Sequence, residues 1–266
     1  MTIFRYEWKQ HLKYILGWTA AMSLCIFVMT PVYYSFLDFA GMDNPLLETL
    51  GQSDFFKSVG VSMQMLSQPL GMYSFLTSFF CIAAGIFGLH FGISIHTKEC
   101  SEGTAEYLFT KPFPRRTIFG AKAAVVCCGS LILGAAYILA SFLTLRLFQS
   151  GFSLREFFLI SLSLELLTLF CAAAGILIGV VFTKNRSPLL SSGIVVFVTY
   201  CMTSFSRVTG VRAISYLSPY SYFSASNIAE TGFYEWDYFI CCIVFMIVFF
   251  VAAYQWFLRK DISFKS

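Results

Sequence analysis

Apolar residues dominate six long stretches of the chain, near 15 to 37, 71 to 97, 118 to 146, 157 to 183, 188 to 206 and 238 to 258, with polar residues gathered between them. A hydrocarbon core about 30 Å thick takes roughly 20 apolar residues as helix, a length that every stretch approaches or exceeds. The third and fourth are longer than that and have room to tilt or to project past the lipid. Closed barrels would need alternating segments of about ten residues, and the chain does not alternate in that way. The pattern predicts an all-α polytopic membrane protein, with six transmembrane helices in one domain over 1–266.

Ahead of the first stretch, Phe4, Trp8, Leu12 and Ile15 recur at helical spacing, with Arg5, Lys9 and Lys13 along the neighbouring face. Over 1–14 this predicts an amphipathic helix lying on the inner leaflet; basic residues that merely fix topology account for the segment equally well. Cytoplasmic connections carry the excess of Lys and Arg. Arg5, Lys9 and Lys13 then share a side with Lys98, Lys111, Arg115, Arg116, Lys122, Lys184, Arg186, Arg259, Lys260 and Lys265. The opposite side keeps Lys57, Arg146, Arg155, Arg207 and Arg212, and its first connection is acidic through Asp38, Asp43, Glu48 and Asp54. Both termini are expected in the cytoplasm, and the first span is expected to be retained because no short apolar region ends in a small-residue cleavage site.

Composition sharpens the class. Only 12% of the residues are charged and 58% are hydrophobic, against about 25% and 45–50% in soluble domains. A water-soluble enzyme is excluded, and 31 Phe with 14 Tyr exclude a solvated, disordered chain. The nine cysteines lie in apolar runs, apart from Cys100, and form no CxxC, so neither disulfides nor a metal site is expected. The connections near 38 to 70 and 207 to 237 are too short to fold as catalytic domains.

The connection 98–117 holds the most specific signal. Ser101 can cap a helix whose first turn holds Glu102 and whose last turn holds Lys111, charges suited to the helix dipole, and Pro112 stops it. Ala105, Leu108 and Phe109 would form its apolar arc, beside Glu102, Glu106 and Thr110. So short a helix is not stable in water by itself and must dock on something. A basic connection whose acids simply balance charge is the alternative.

Glu99, Gly103, Thr104, Glu106, Leu108, Pro112, Arg115 and Lys122 together give E-x-x-x-G-T-x-E-x-L followed by Pro, Arg and a later Lys. This series resembles the cytoplasmic loop of type-2 ABC transporter permeases, although Pro114 stands where that family more often has a small polar residue. The likeness extends to six spans, a basic amphipathic start and an outer segment with Pro219 before the last span. It implies an exporter subunit of the plasma membrane whose coupling helix enters a cleft of a separate cytoplasmic ABC ATPase. The implied coupling residues are Glu99, Ser101, Glu102, Gly103, Thr104, Glu106, Tyr107, Leu108, Lys111, Pro112 and Arg115. The chain contains no Gly-Lys pair and so no Walker A loop. No cofactor is therefore expected in it, and ATP and Mg would belong to the ATPase. A second permease copy or a paralogue and membrane lipid complete the implied partners; nucleic acid is not among them.

Within the spans, Glu165 falls near mid-depth of the fourth, where a carboxylate is expensive. Two readings stand: contact with a cationic cargo or a conformational switch, and a structural Glu bonded to Tyr or Ser of a neighbouring span. His90 and His96 point about 240° apart on one helix and cannot share a metal, so His96 is expected near headgroups or the loop and His90 on a polar seam. Ala84/Gly88/Gly92 and Cys171/Gly175/Gly179 suit close helix packing, within the chain or between subunits. Between 207 and 237, Tyr220 and Tyr222 flank a re-entrant hairpin or an interfacial aromatic belt, and with Glu165 they are candidates for the substrate pathway. An amphipathic or hydrophobic cargo such as a peptide antibiotic or drug suits these spans, with ion (sodium) or lipid efflux as the alternative. A secondary transporter would be expected to show repeats and several intramembrane charges, and an intramembrane hydrolase a clustered catalytic set.

Overall fold

The computed structural model describes residues 2–40, 69–104, 113–148, 151–183, 185, 187–225, 227–228 and 232–259. Its elements are α1 (Thr2–Ala40), α2 (Pro69–Ser101), α3 (Arg115–Phe148), α4 (Leu154–Val181), α5 (Pro188–Thr209), the short α6 (Arg212–Ser215) and α7 (Pro219–Tyr222), and α8 (Trp236–Arg259). Six of these helices, all but α6 and α7, are long and apolar enough to cross a membrane. No strand occurs among the described residues.

One difference from the sequence expectation concerns the start. Thr2–Ala40 is one helix, so residues 2–14 continue into the first span and are not a separate helix. The reason is a partner: Ile3, Glu7 and Ile15 are buried on a face that meets α2 and α3, and this docking holds the helix in line.

The centre of the bundle is the pair α2 and α4, packed with almost no space between backbones. A Cβ on Gly88 would stand 2.5 Å from Thr168 O, one on Gly92 2.6 Å from Ala172 O, and one on Gly175 2.5 Å from Leu89 O. The small-residue series on the second and fourth spans therefore face each other inside one chain, and the packing reading holds over the subunit-interface reading at this face. Around this pair, α1 packs on α3, α5 on α2, and α8 on α4. The outer helices leave much of their apolar surface open, as Phe197, Phe205, Ile240, Ile247 and Val248 show, which is what lipid contact requires.

Local chemistry sets the ends. Ser153 caps α4 by accepting from Glu156 N, Pro188 opens α5 and left-handed Gly210 closes it. The stretch that follows turns back into the protein: Ser218, Pro219, Tyr220, Tyr222, Phe223 and Ala225 are all buried. Thr203 donates to Ser218 Oγ at 2.6 Å and Ser218 donates to Thr199 O at 2.7 Å, pinning α7 to α5. The Tyr220 hydroxyl reaches Gly85, where a Cβ would stand 2.1 Å from it, about 24 Å along α2 from its first residue. These aromatic rings therefore lie inside the bundle, against α2.

Candidate functional site

The connection that carries the family-like motif is rooted in α2 and α3, and the geometry of its two ends is well defined. Helix α2 runs on through Glu99 to Ser101 and closes on Gly103, whose φ of +69° suits a residue without Cβ. Thr104 N donates to Glu99 O at 2.9 Å and Glu102 N to Lys98 O at 2.8 Å, the bonds of a glycine-terminated helix. Ser101 therefore belongs to the last turn of α2, with its hydroxyl bonded back to Lys98 O. It does not cap a new helix, and Glu102 is in the terminating turn of the old one; the expectation failed because Gly103 ends a helix more strongly than Ser101 begins one. At the far end, Thr117 N and Ile118 N donate to Pro114 O and start α3.

Four charged side chains close the root. Lys122, two turns into α3, donates to Ile95 O at 2.6 Å and to Glu99 Oε1 at 2.5 Å. Lys98 donates to Glu7 Oε2 at 2.5 Å and to Gln10 Oε1 at 2.6 Å. Lys122 also lies 4.0 Å from Glu7 Oε1, so the set forms a continuous alternation of sign across α1, α2 and α3. Glu7, Glu99 and Lys122 are buried. Two carboxylates against two ammonium groups leave no net charge, which is the condition under which buried ions are tolerated; removing one member strands the others at a cost of about 3–5 kcal/mol. Arg115 adds a tie from α3 to the end of α8 through Leu258 O at 3.4 Å.

Of the residues expected to couple, Glu99 is locked into this cluster, whereas Ser101, Glu102, Gly103 and Thr104 are exposed and free to meet another surface. Arg115 is half-buried at the start of α3. Glu106, Tyr107, Leu108, Lys111 and Pro112 lie outside the described residues. Sequence reasoning missed Glu7, Gln10 and Lys98. A signal for Glu7 was present: an acid among Arg5, Lys9 and Lys13, on the face it shares with Ile3 and Tyr14.

His96 sits deeper than expected. His96 is buried with Nδ1 3.2 Å from Gly92 O and its ring against Phe119 and Phe257, not at headgroups. His90 packs on Tyr14 of α1. Among the described residues no group of three or more metal-ligating side chains forms a site.

Glu165, Tyr220 and Tyr222 do not come together. Tyr220 lies beside Gly85 and Cys171, and Glu165 and Cys171 are six residues apart, about 240° around α4. Tyr222 donates to Tyr216 O at 2.5 Å, and Tyr234 donates to Leu159 O at 2.6 Å; burial raises the Tyr234 phenol, keeping it a donor. Glu165 faces α3, where a Cβ on Gly134 would stand 1.8 Å from Oε2. Both carboxylate oxygens are buried with no hydrogen-bond partner in the structure. The hydroxyls expected to satisfy it bond elsewhere: Tyr73 to Ser161 at 2.7 Å and Thr77 to Tyr137 at 3.0 Å.

No curated protein matches the chain. The family described as ABC-2 family transporter protein matches residues 1–262, which include every member of the charged root and Glu165. With six membrane-crossing helices, a motif-bearing connection after the second, and a family match over nearly the whole length, the chain belongs to the ABC-2 transporter family and is a membrane permease of an ABC transporter.

Proposed function

We propose that this permease is the membrane half of an exporter of the plasma membrane, driven through the 98–117 connection by a separate cytoplasmic ATPase that binds ATP and Mg. Both termini and the charged root then lie in the cytoplasm, in keeping with the Lys and Arg distribution. The observation that carries the reading is the root itself. Exposed Ser101 to Thr104 offer a contact surface, and immediately behind it Lys98 and Glu99 are bonded to Glu7 and Lys122. A push on the connection is passed at once to α1, α2 and α3. A second permease copy or a paralogue supplies the other wall of the pathway, and an amphipathic or hydrophobic molecule such as a peptide antibiotic or drug suits the apolar spans. The unpartnered Glu165 favours a second reading for the cargo, a cation.

The test is affinity purification of the tagged full-length chain from its native membranes. An ATP-binding chain with a Walker A loop accompanies the wild type and is lost when Glu102 and Leu108 are both replaced by Arg. A wild-type preparation that transports in vesicles without such a chain overturns the reading.

A further inference from the structure

A cleft of about 300 Å3 opens on the lipid-facing side between α3, α4 and α8, at the lower end of the size range of small-molecule sites. Its walls are apolar: Val126 and Cys127 of α3, Ala173 of α4, and Ile247, Phe250 and Val251 of α8. The last three are 57%, 43% and 44% exposed, so the cleft is reached from the bilayer. Glu165 is buried one helical turn beyond that lining. Leu169, a lining residue, is one helical turn along α4 from Glu165, and Cys127 is two turns along α3 from Gly134, on which the carboxylate rests. Cys127 is within electrostatic reach of that carboxylate.

A greasy recess one helical turn from a buried acid with no partner complements an apolar cation. We propose that the α3/α4/α8 cleft binds a lipid-soluble, singly charged organic cation, its apolar body on Val126, Ala173 and Phe250 and its positive centre against Glu165. This rests on the transport reading above and narrows its cargo. Three features converge on it. The carboxylate is 5% exposed and lacks any donor, so a cation brought from the bilayer supplies the interaction that the fold withholds. Gly134 gives the acid a bare Cα to rest on, with no side chain of its own between the carboxylate and α3. The ring of Phe250 at the rim adds a face that attracts cations.

The test uses the full chain in nanodiscs of neutral phosphatidylcholine, with radiolabelled tetraphenylphosphonium as probe and tetraphenylborate as a competitor of nearly the same shape and opposite charge. Saturable binding beyond that of empty nanodiscs is expected, without competition by the borate. Glu165→Gln weakens it by about tenfold or more, the loss expected for a desolvated charge pair. Ile247→Trp, at a lipid-exposed position that fills the cleft, weakens it with the acid intact, and Glu165→Asp, with the charge retained, binds between wild type and Glu165→Gln. Monodispersity and Tm of each variant separate lost binding from lost fold. Equal binding of wild type and Glu165→Gln, or full competition by the borate, overturns the proposal. So does an Ile247→Trp variant that changes oligomeric state with binding unchanged, which assigns the cleft to a second copy. The assay contains no ATPase, so its failure leaves the coupling reading standing, and failed co-purification leaves the cleft.

Discussion

Lys122 and Glu99 are 23 residues apart in sequence, yet the lysine ammonium donates to the glutamate Oε1 at 2.5 Å in a buried setting. This pair closes the base of the connection between α2 and α3, so the two ends of the motif-bearing loop are held as one piece. Lys122→Met leaves Glu99 buried without its cation and is expected to lower stability by about 3–5 kcal/mol. Lys122→Met combined with Glu99→Leu is expected to recover most of that loss. Thermal unfolding of the four proteins in detergent, treated as a double-mutant cycle, measures the coupling.

The α2 and α4 backbones approach too closely to admit side chains at their crossing. Gly92→Val and Gly175→Val each drive carbons into backbone atoms of the facing helix and are expected to abolish a monodisperse preparation. Gly120→Ala, on an exposed part of α3 where nothing lies within 4 Å, is expected to be neutral or to stabilise by about 0.5–1 kcal/mol through helix propensity. Size-exclusion profiles of the three variants decide the matter.

Gly134 makes the space that Glu165 occupies. Gly134→Ala is expected to cost about 1–3 kcal/mol because the new methyl overlaps the carboxylate. Adding Glu165→Ala removes the overlap and is expected to return the Tm toward that of Glu165→Ala alone. An equal loss in both backgrounds would place the strain somewhere else.

The buried stretch around Tyr220 depends on a hydroxyl pressed against α2. Gly85→Ala is expected to displace Tyr220, and Tyr220→Phe to relieve most of the effect, because the oxygen is the atom in conflict and the ring carbon behind it stands at 3.2 Å. Limited proteolysis within 207–237 reads the displacement: faster cleavage in Gly85→Ala, near wild-type rate in the double variant.

Hydropathy made the six spans legible because burial in lipid demands long apolar helices whatever their neighbours. The glycine series on α2 and α4 were equally legible as close-packing positions, but which surface they met depended on the fold. The charged root was read only in part. Glu99 and Lys122 stood out through their resemblance to a motif, whereas Glu7 was hidden by the basic residues around it and by the expectation of a helix lying on the leaflet. Ser101 misled because its capping signal competes with Gly103, whose left-handed φ is a property of the chain path. For Glu165 the sequence raised the question of a partner, and only the placement of Tyr73, Ser161, Thr77 and Tyr137 in bonds of their own shows that the neighbouring hydroxyls are committed to one another.

Because α1 is continuous, the turn that holds Glu7 belongs to the same rod as the far end of the helix, 39 residues in all and about 58 Å long at helical rise. A hydrocarbon layer is about half as thick. A helix of that length, gripped near its base by Lys98 and Lys122, must overhang the layer or lie steeply inclined across it, and Pro31 inside it marks where it can bend.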